Sequence, residues 1–151
     1  MLRRIALPIA TAIAFIAGTP RAHAQAATEQ AAVKRAALDY VEGFYEGDTV
    51  KLTRSIWKEV HKYGYWQNKP GEAYVPEGMP WAEIIKYGVD AKAGKHKTPP
   101  NAPKDVTIFE VQDQTASAKV TAWWGTDYLL LAKQNGRWMI THILWQGPLK
   151  K

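Results

Sequence analysis

The chain has 151 residues, a formal charge of +6, no cysteine, and 46% hydrophobic residues, 11% of all residues being aromatic. The lack of cysteine excludes disulfides, thiolate metal sites and attachment through a lipidated cysteine, so the core alone must hold the fold. The charge excess does not argue for nucleic acid, because much of it lies in Lys92, Lys95, Lys97 and Lys104 of a proline-flanked loop.

The first element is an export signal. MLRR is a positive start, the 14 residues Ile5 to Gly18 are apolar, and Ala22-His23-Ala24 is a small-x-small cleavage pattern. The apolar run falls short of the roughly 20 residues of a membrane span. This predicts a cleaved signal peptide over 1–24, a single domain over 25–151, a periplasmic or secreted location, and no membrane association of the mature chain. Arg3-Arg4 is not followed by the aromatic-leucine pair of the twin-arginine route, so general secretion is expected. Three arginines leave with the peptide, and the formal charge falls to +3.

Residues 28–46 carry Val33, Ala37, Tyr40, Val41 and Phe44 as one apolar stripe, which predicts a helix. Gly47 ends it, and Asp48 caps a second helix with Leu52 and Ile56 one turn apart. Lys62 to Trp66 reads as a short extended piece before a turn-rich segment. Pro80 fits the start of a third helix whose apolar face is Trp81, Ile84, Ile85 and Val89. The prolines at 99, 100 and 103 exclude regular structure from 94–104.

The period then changes from 3.6 to 2. Residues 106–112, 115–124, 127–134 and 137–146 predict four strands, the last two joined by Asn135-Gly136 in a type I′ turn. Helices followed by an antiparallel meander is an α+β order. The final strand has no polar face. Strict alternation sets Trp138, Ile140, His142 and Leu144 on one side and Met139, Thr141, Ile143 and Trp145 on the other. Helices would cover one side; a large apolar remainder predicts a subunit interface.

Ala37 to Asp48 and Ala118 to Gln146, with the separation between them, resemble the putative lumazine-binding group of the nuclear transport factor 2-like superfamily. Tyr-x-x-Gly-x-x-x-Gly-Asp closing the first helix, and Asp-Tyr-Leu followed by Gly-x-Trp and a final Leu-Trp, carry the resemblance. Trp57-Lys58 stands where many relatives have His-Pro, so no role is assigned to such a histidine. The resemblance implies a cone of N-terminal helices packed on a strongly curved antiparallel sheet, and a homodimer formed through that sheet. It does not settle function, since the superfamily holds isomerases, dehydratases and transport adaptors.

For isomerase- or dehydratase-type chemistry without a cofactor, the candidate catalytic residues are His142 and Asp127. A lone histidine on an apolar face is more often a core residue than a base, and an aspartate placed like Asp127 is more often a turn or edge cap after Gly125. The histidines at 61, 96 and 142 have no metal-ligand spacing, and no phosphate loop or nucleophile elbow occurs, so neither metal nor cofactor is expected. Seven tryptophans favour a pocket that stacks a flat small molecule. The expected ligand-binding residues are Tyr63, Tyr65, Trp66, Trp81, Trp123 and Tyr128. Binding of a small molecule is the leading expectation; an enzyme, or a structural dimer with a filled cone, is the alternative.

Overall fold

The computed structural model describes residues 20–149, with side chains from residue 24. The expected signal peptide falls largely on residues outside that range. Helix α1 runs Pro20–Glu46, beginning before the expected residue 28 and crossing the expected cleavage point. Its stripe of Val33, Ala36, Ala37, Tyr40, Val41 and Phe44 is buried. Gly47 ends it at φ +64°, where a Cβ would sit 2.3 Å from the Lys92 nitrogen of the third helix, so glycine is needed both for the turn and for the contact. Asp48 caps α2 (Thr49–Ser55) by accepting from the amides of Val50 and Lys51.

Ile56 does not extend α2. It opens strand β1 (Ile56–Trp66), which reaches much further than the expected 62–66. Ile56 is gained by the sheet because it pairs with Ile140 in the core. A short edge strand β2 (Val75–Gly78) returns along β1, and α3 (Trp81–Lys92) follows Pro80. The remaining strands β3 (Asp105–Val111), β4 (Thr115–Ala122), β5 (Gly125–Gln134) and β6 (Arg137–Gln146) lie within two residues of the expected bounds. Asn135 and Gly136 both have positive φ in the two-residue β5–β6 turn.

The six strands form one sheet in the order β2-β1-β6-β5-β4-β3. It is mixed, not purely antiparallel, since β1 runs parallel to β6. The correction follows from α3 and the long loop after it, which carry the chain from β1 to the far edge and bring it back through the meander. Irregularities in register in β1, between β3 and β4, and between β5 and β6 bend the sheet around the helices. The core lies between α1, α2, α3 and the inner face of β4, β5 and β6, where Ala118, Val120, Leu129, Leu131, Ile140 and Ile143 are buried.

One bulge decides which side chains are inside. Leu131 pairs with Ile140 but Leu130 pairs with His142, so Thr141 is the extra residue, and its hydroxyl donates to the Leu130 carbonyl at 3.2 Å. Beyond it the alternation reverses. The inner face of β6 is Trp138, Ile140, Ile143 and Trp145; the outer face is Met139, His142 and Leu144. The strict alternation expected from sequence holds only up to Ile140.

Candidate functional site

The inner face of β1 carries Ile56, Val60, Lys62, Gly64 and Trp66, its outer face His61, Tyr63 and Tyr65. Lys62 thus points into the cone with only 8% of its surface exposed. Its Nζ donates to the Tyr40 hydroxyl at 2.6 Å, and that hydroxyl donates to Asp127 Oδ2 at 2.9 Å. The indole Nε1 of Trp124 donates to the same oxygen at 3.0 Å. Tyr40 comes from the α1 stripe, Lys62 from β1 and Asp127 from β5, so the chain of hydrogen bonds links helix to sheet. Asp127 is fully buried and does not cap a turn.

Electrostatics here follow burial. Burial first, then the Asp127 carboxylate, pushes the Tyr40 hydroxyl well above the usual tyrosine range. Burial pulls the Lys62 ammonium below its ordinary value, opposed by the negative charges of Asp127 and Glu77. Three ring faces surround the nitrogen, Tyr40 at 5.2 Å, Phe44 at 5.3 Å and Trp145 at 5.8 Å. Trp145 fits there because Gly64 is opposite: a Cβ on Gly64 would lie 2.5 Å from the indole.

Above this network lies a cavity of about 240 Å³. Its walls are aromatic, from Phe44, Trp66, Tyr87, Trp123, Trp124 and Trp145, with Met79 beside them. Buried Lys62 forms the base and exposed Glu77 stands toward solvent. Two buried polar atoms of this region have no hydrogen-bond partner, the Trp145 Nε1 donor and the Asp127 Oδ1 acceptor. A larger cavity of about 580 Å³ between the start of α1 and the β3–β4 turn is lined by Gln25, Glu29, Gln112, Asp113 and Lys133, and brings no buried polar group to its surface.

Of the residues expected to bind ligand, Trp66 and Trp123 line the cavity. Trp81 packs half-buried against the core instead. Tyr63, Tyr65 and Tyr128 lie on the outer face of the sheet, as does His142, whose ring is exposed, 6.4 Å from that of His61. The expected pairing of His142 with Trp138 and Ile140 is corrected by the Thr141 bulge, which turns it away from the cone. His142 and Asp127 are therefore on opposite faces. Sequence reasoning missed Lys62, Trp124, Trp145 and Tyr87, and read Tyr40 as core alone. The signal for Lys62 was present: a lysine and a glycine alternating with Tyr63 and Tyr65 put the lysine on the face the tyrosines leave.

Among the described residues no three His, Cys, Asp or Glu side chains converge as a metal site, and no helix is long and apolar enough to cross a membrane. The family described as "Putative lumazine-binding" matches residues 28–146. No curated protein matches the chain. Among solved structures it resembles a nuclear transport factor 2-like protein of unknown function from Silicibacter pomeroyi, with a TM-score of 0.62 and 18% identity over 82% of this chain and 98% of the other. A second such protein from Shewanella baltica gives a TM-score of 0.58 and 18% identity over 79% and 93%. A putative dehydratase of the nuclear transport factor 2-like family from Streptomyces avermitilis gives a TM-score of 0.54 and 14% identity over 82% and 98%.

Proposed function

Since the chain belongs to the putative lumazine-binding family and has the nuclear transport factor 2-like fold, we propose that it is an exported, dimeric small-molecule-binding protein whose ligand sits in the aromatic cone. The observation that carries this reading is a buried primary amine at the base of an aromatic cavity, with one hydrogen bond made and further donor capacity unspent. A flat, neutral heterocycle fits that chemistry. Its faces stack on the indoles, a ring carbonyl accepts from Lys62, and a ring N–H reaches Glu77. A second carbonyl gives Trp145 Nε1 the acceptor it lacks. The volume of about 240 Å³ lies just below the roughly 300–1,000 Å³ usual for ligand pockets, which suits one or two fused rings. The pteridine-dione named in the family's description is of this kind.

Export rests on the signal-like first 24 residues, and the dimer on the outer sheet face, where Tyr65, Tyr128, Leu130 and Leu144 are each about half exposed. The test is titration with lumazine, read by tryptophan fluorescence. Saturable quenching is expected, weakened about tenfold to a hundredfold in Lys62→Met, the size of a lost hydrogen bond to a charged group. His142→Asn leaves it unchanged. Absence of quenching by lumazine and related diones overturns the reading. The enzymatic alternative keeps one supporting observation, the buried Asp127 joined to Tyr40. Turnover lost in Asp127→Asn with affinity retained would favour it.

A further inference from the structure

The cone base holds a lysine and an aspartate out of water, joined through one tyrosine. Lys62 is more than nine-tenths buried, and around its nitrogen stand three ring faces and the Tyr40 oxygen, with the Glu77 carboxylate on the same cavity. Asp127 is fully buried, with Oδ1 receiving no donor. Burial disfavours the charge on Lys62. One concerted movement frees the amine for attack. A Lys62 proton passes to the Tyr40 oxygen over 2.6 Å while the Tyr40 proton passes to Asp127 Oδ2 over 2.9 Å. Lysine becomes a free amine, aspartate a carboxylic acid, and Tyr40 remains a phenol.

We propose that Lys62 is a nucleophile that captures a small planar aldehyde or ketone as an imine, with Tyr40 and Asp127 relaying the protons. This rests on the cavity being a ligand site. The free amine attacks the carbonyl carbon; the C–N bond forms and the C=O π pair moves to oxygen, which takes a proton from the attacking nitrogen, since of the three groups only Lys62 lines the cavity. The proton stored on Asp127 then passes back through Tyr40 to the nitrogen and on to the carbinolamine hydroxyl, which leaves as water as the nitrogen lone pair forms C=N. Overall, ammonium and carbonyl give a protonated imine and water, and Asp127 ends as carboxylate. The flat walls of Trp123, Trp124 and Trp145 suit an aromatic carbonyl compound, which stacks while its carbon approaches Nζ. The direction in which burial moves Lys62 agrees with a larger free-amine fraction at neutral pH.

The full chain is incubated with benzaldehyde and sodium cyanoborohydride at neutral pH, and the benzylated lysines are mapped by peptide mass spectrometry. The hydride reduces C=N and fixes any imine as a stable secondary amine. Exposed Lys58 is the internal reference. Lys62 is expected to label at least about tenfold ahead of Lys58, because an aldehyde stacked in the cavity is held against its Nζ. In Tyr40→Phe, which keeps the amine and breaks the relay, labelling of Lys62 should slow while that of Lys58 does not. Labelling of Lys62 no faster than Lys58 in the unmodified chain overturns the proposal. If lumazine still quenches the tryptophans in that case, only the imine is lost; if it does not, the cavity reading falls as well.

Discussion

The two faces of this sheet are built from the same kinds of residue and differ in what surrounds them. The outer face sets His61, Tyr63, Tyr65, Tyr128, Leu130, His142 and Leu144 toward solvent. The inner face sets Lys62, Asp127 and Trp145 against a buried helix stripe. Both faces hold titratable groups, yet only the inner one withholds water, so only there do a lysine, a tyrosine and an aspartate form a linked set. The lesson is that chemistry here belongs to a face rather than to residue type. Histidines and tyrosines, the residues sequence reasoning favours for sites, are concentrated on the exposed side.

The severest way to break this contrast is insertion of one alanine after His142. The added residue would turn Leu144 inward and Ile143 and Trp145 outward. Loss of Ile143 from the core together with the cavity wall should cost more than about 5 kcal/mol, enough to abolish cooperative unfolding in urea. Next in size is Asp127→Leu. It leaves the Lys62 ammonium buried without its counter-charge, an expected loss of about 3–5 kcal/mol, read from the urea midpoint. The double change Asp127→Leu with Lys62→Met should recover part of it, because no lone charge remains. If the double variant is no better than the single, the two groups are not coupled through Tyr40.

A smaller effect follows from Tyr40. Its folded value lies above the ordinary tyrosine value of 10, so the folded chain keeps a proton that the unfolded chain releases. The stabilisation is complete below pH 10 and is lost as pH rises beyond it. Alkaline unfolding should therefore begin above pH 10 and shift in Tyr40→Phe. On the solvent side of α1 the sign is opposite. Burial raises the Glu42 carboxyl, but hydrogen bonds from Lys51, Lys104 and Arg35 outweigh it and hold the group at about 2. Its stabilisation is present above the ordinary value of 4.5 and is lost as pH falls toward 2. Glu42→Gln should flatten that acid limb. The smallest change in stability is expected from Leu130→Lys on the outer face, within about 0.5 kcal/mol, while native mass spectrometry should show monomer in place of dimer. An unchanged mass would remove the outer face from the dimer proposal.

Most of the architecture was legible in the chain. The α1 stripe, the Gly47–Asp48 junction, the Pro80 start, the proline loop and the Asn135-Gly136 hairpin are local signals, since periodicity, capping and positive φ are decided within a few residues. The parallel pairing of β1 with β6 was not legible, because nothing within β1 says which distant strand it will meet. Only part of the site was legible. Trp66 and Trp123 were found from their places near loops, and Asp127 from its chemistry, though its setting was misread. Lys62 and Tyr40 are 22 residues apart and Tyr40 and Asp127 are 87 apart, so their hydrogen bonds are products of how helix and sheet dock.

By itself, then, the sequence determined the family and the elements in their order, the edge strand β2 and the first half of β1 excepted. Which side chains share an interior was decided by the tertiary structure. A strand's alternation has period 2 and carries no memory across an inserted residue, so the bulge at Thr141 reassigns every position beyond it. The extra residue is accepted because the docked core gains Ile143 and Trp145 on its inner face, an energy that no local stretch of chain contains.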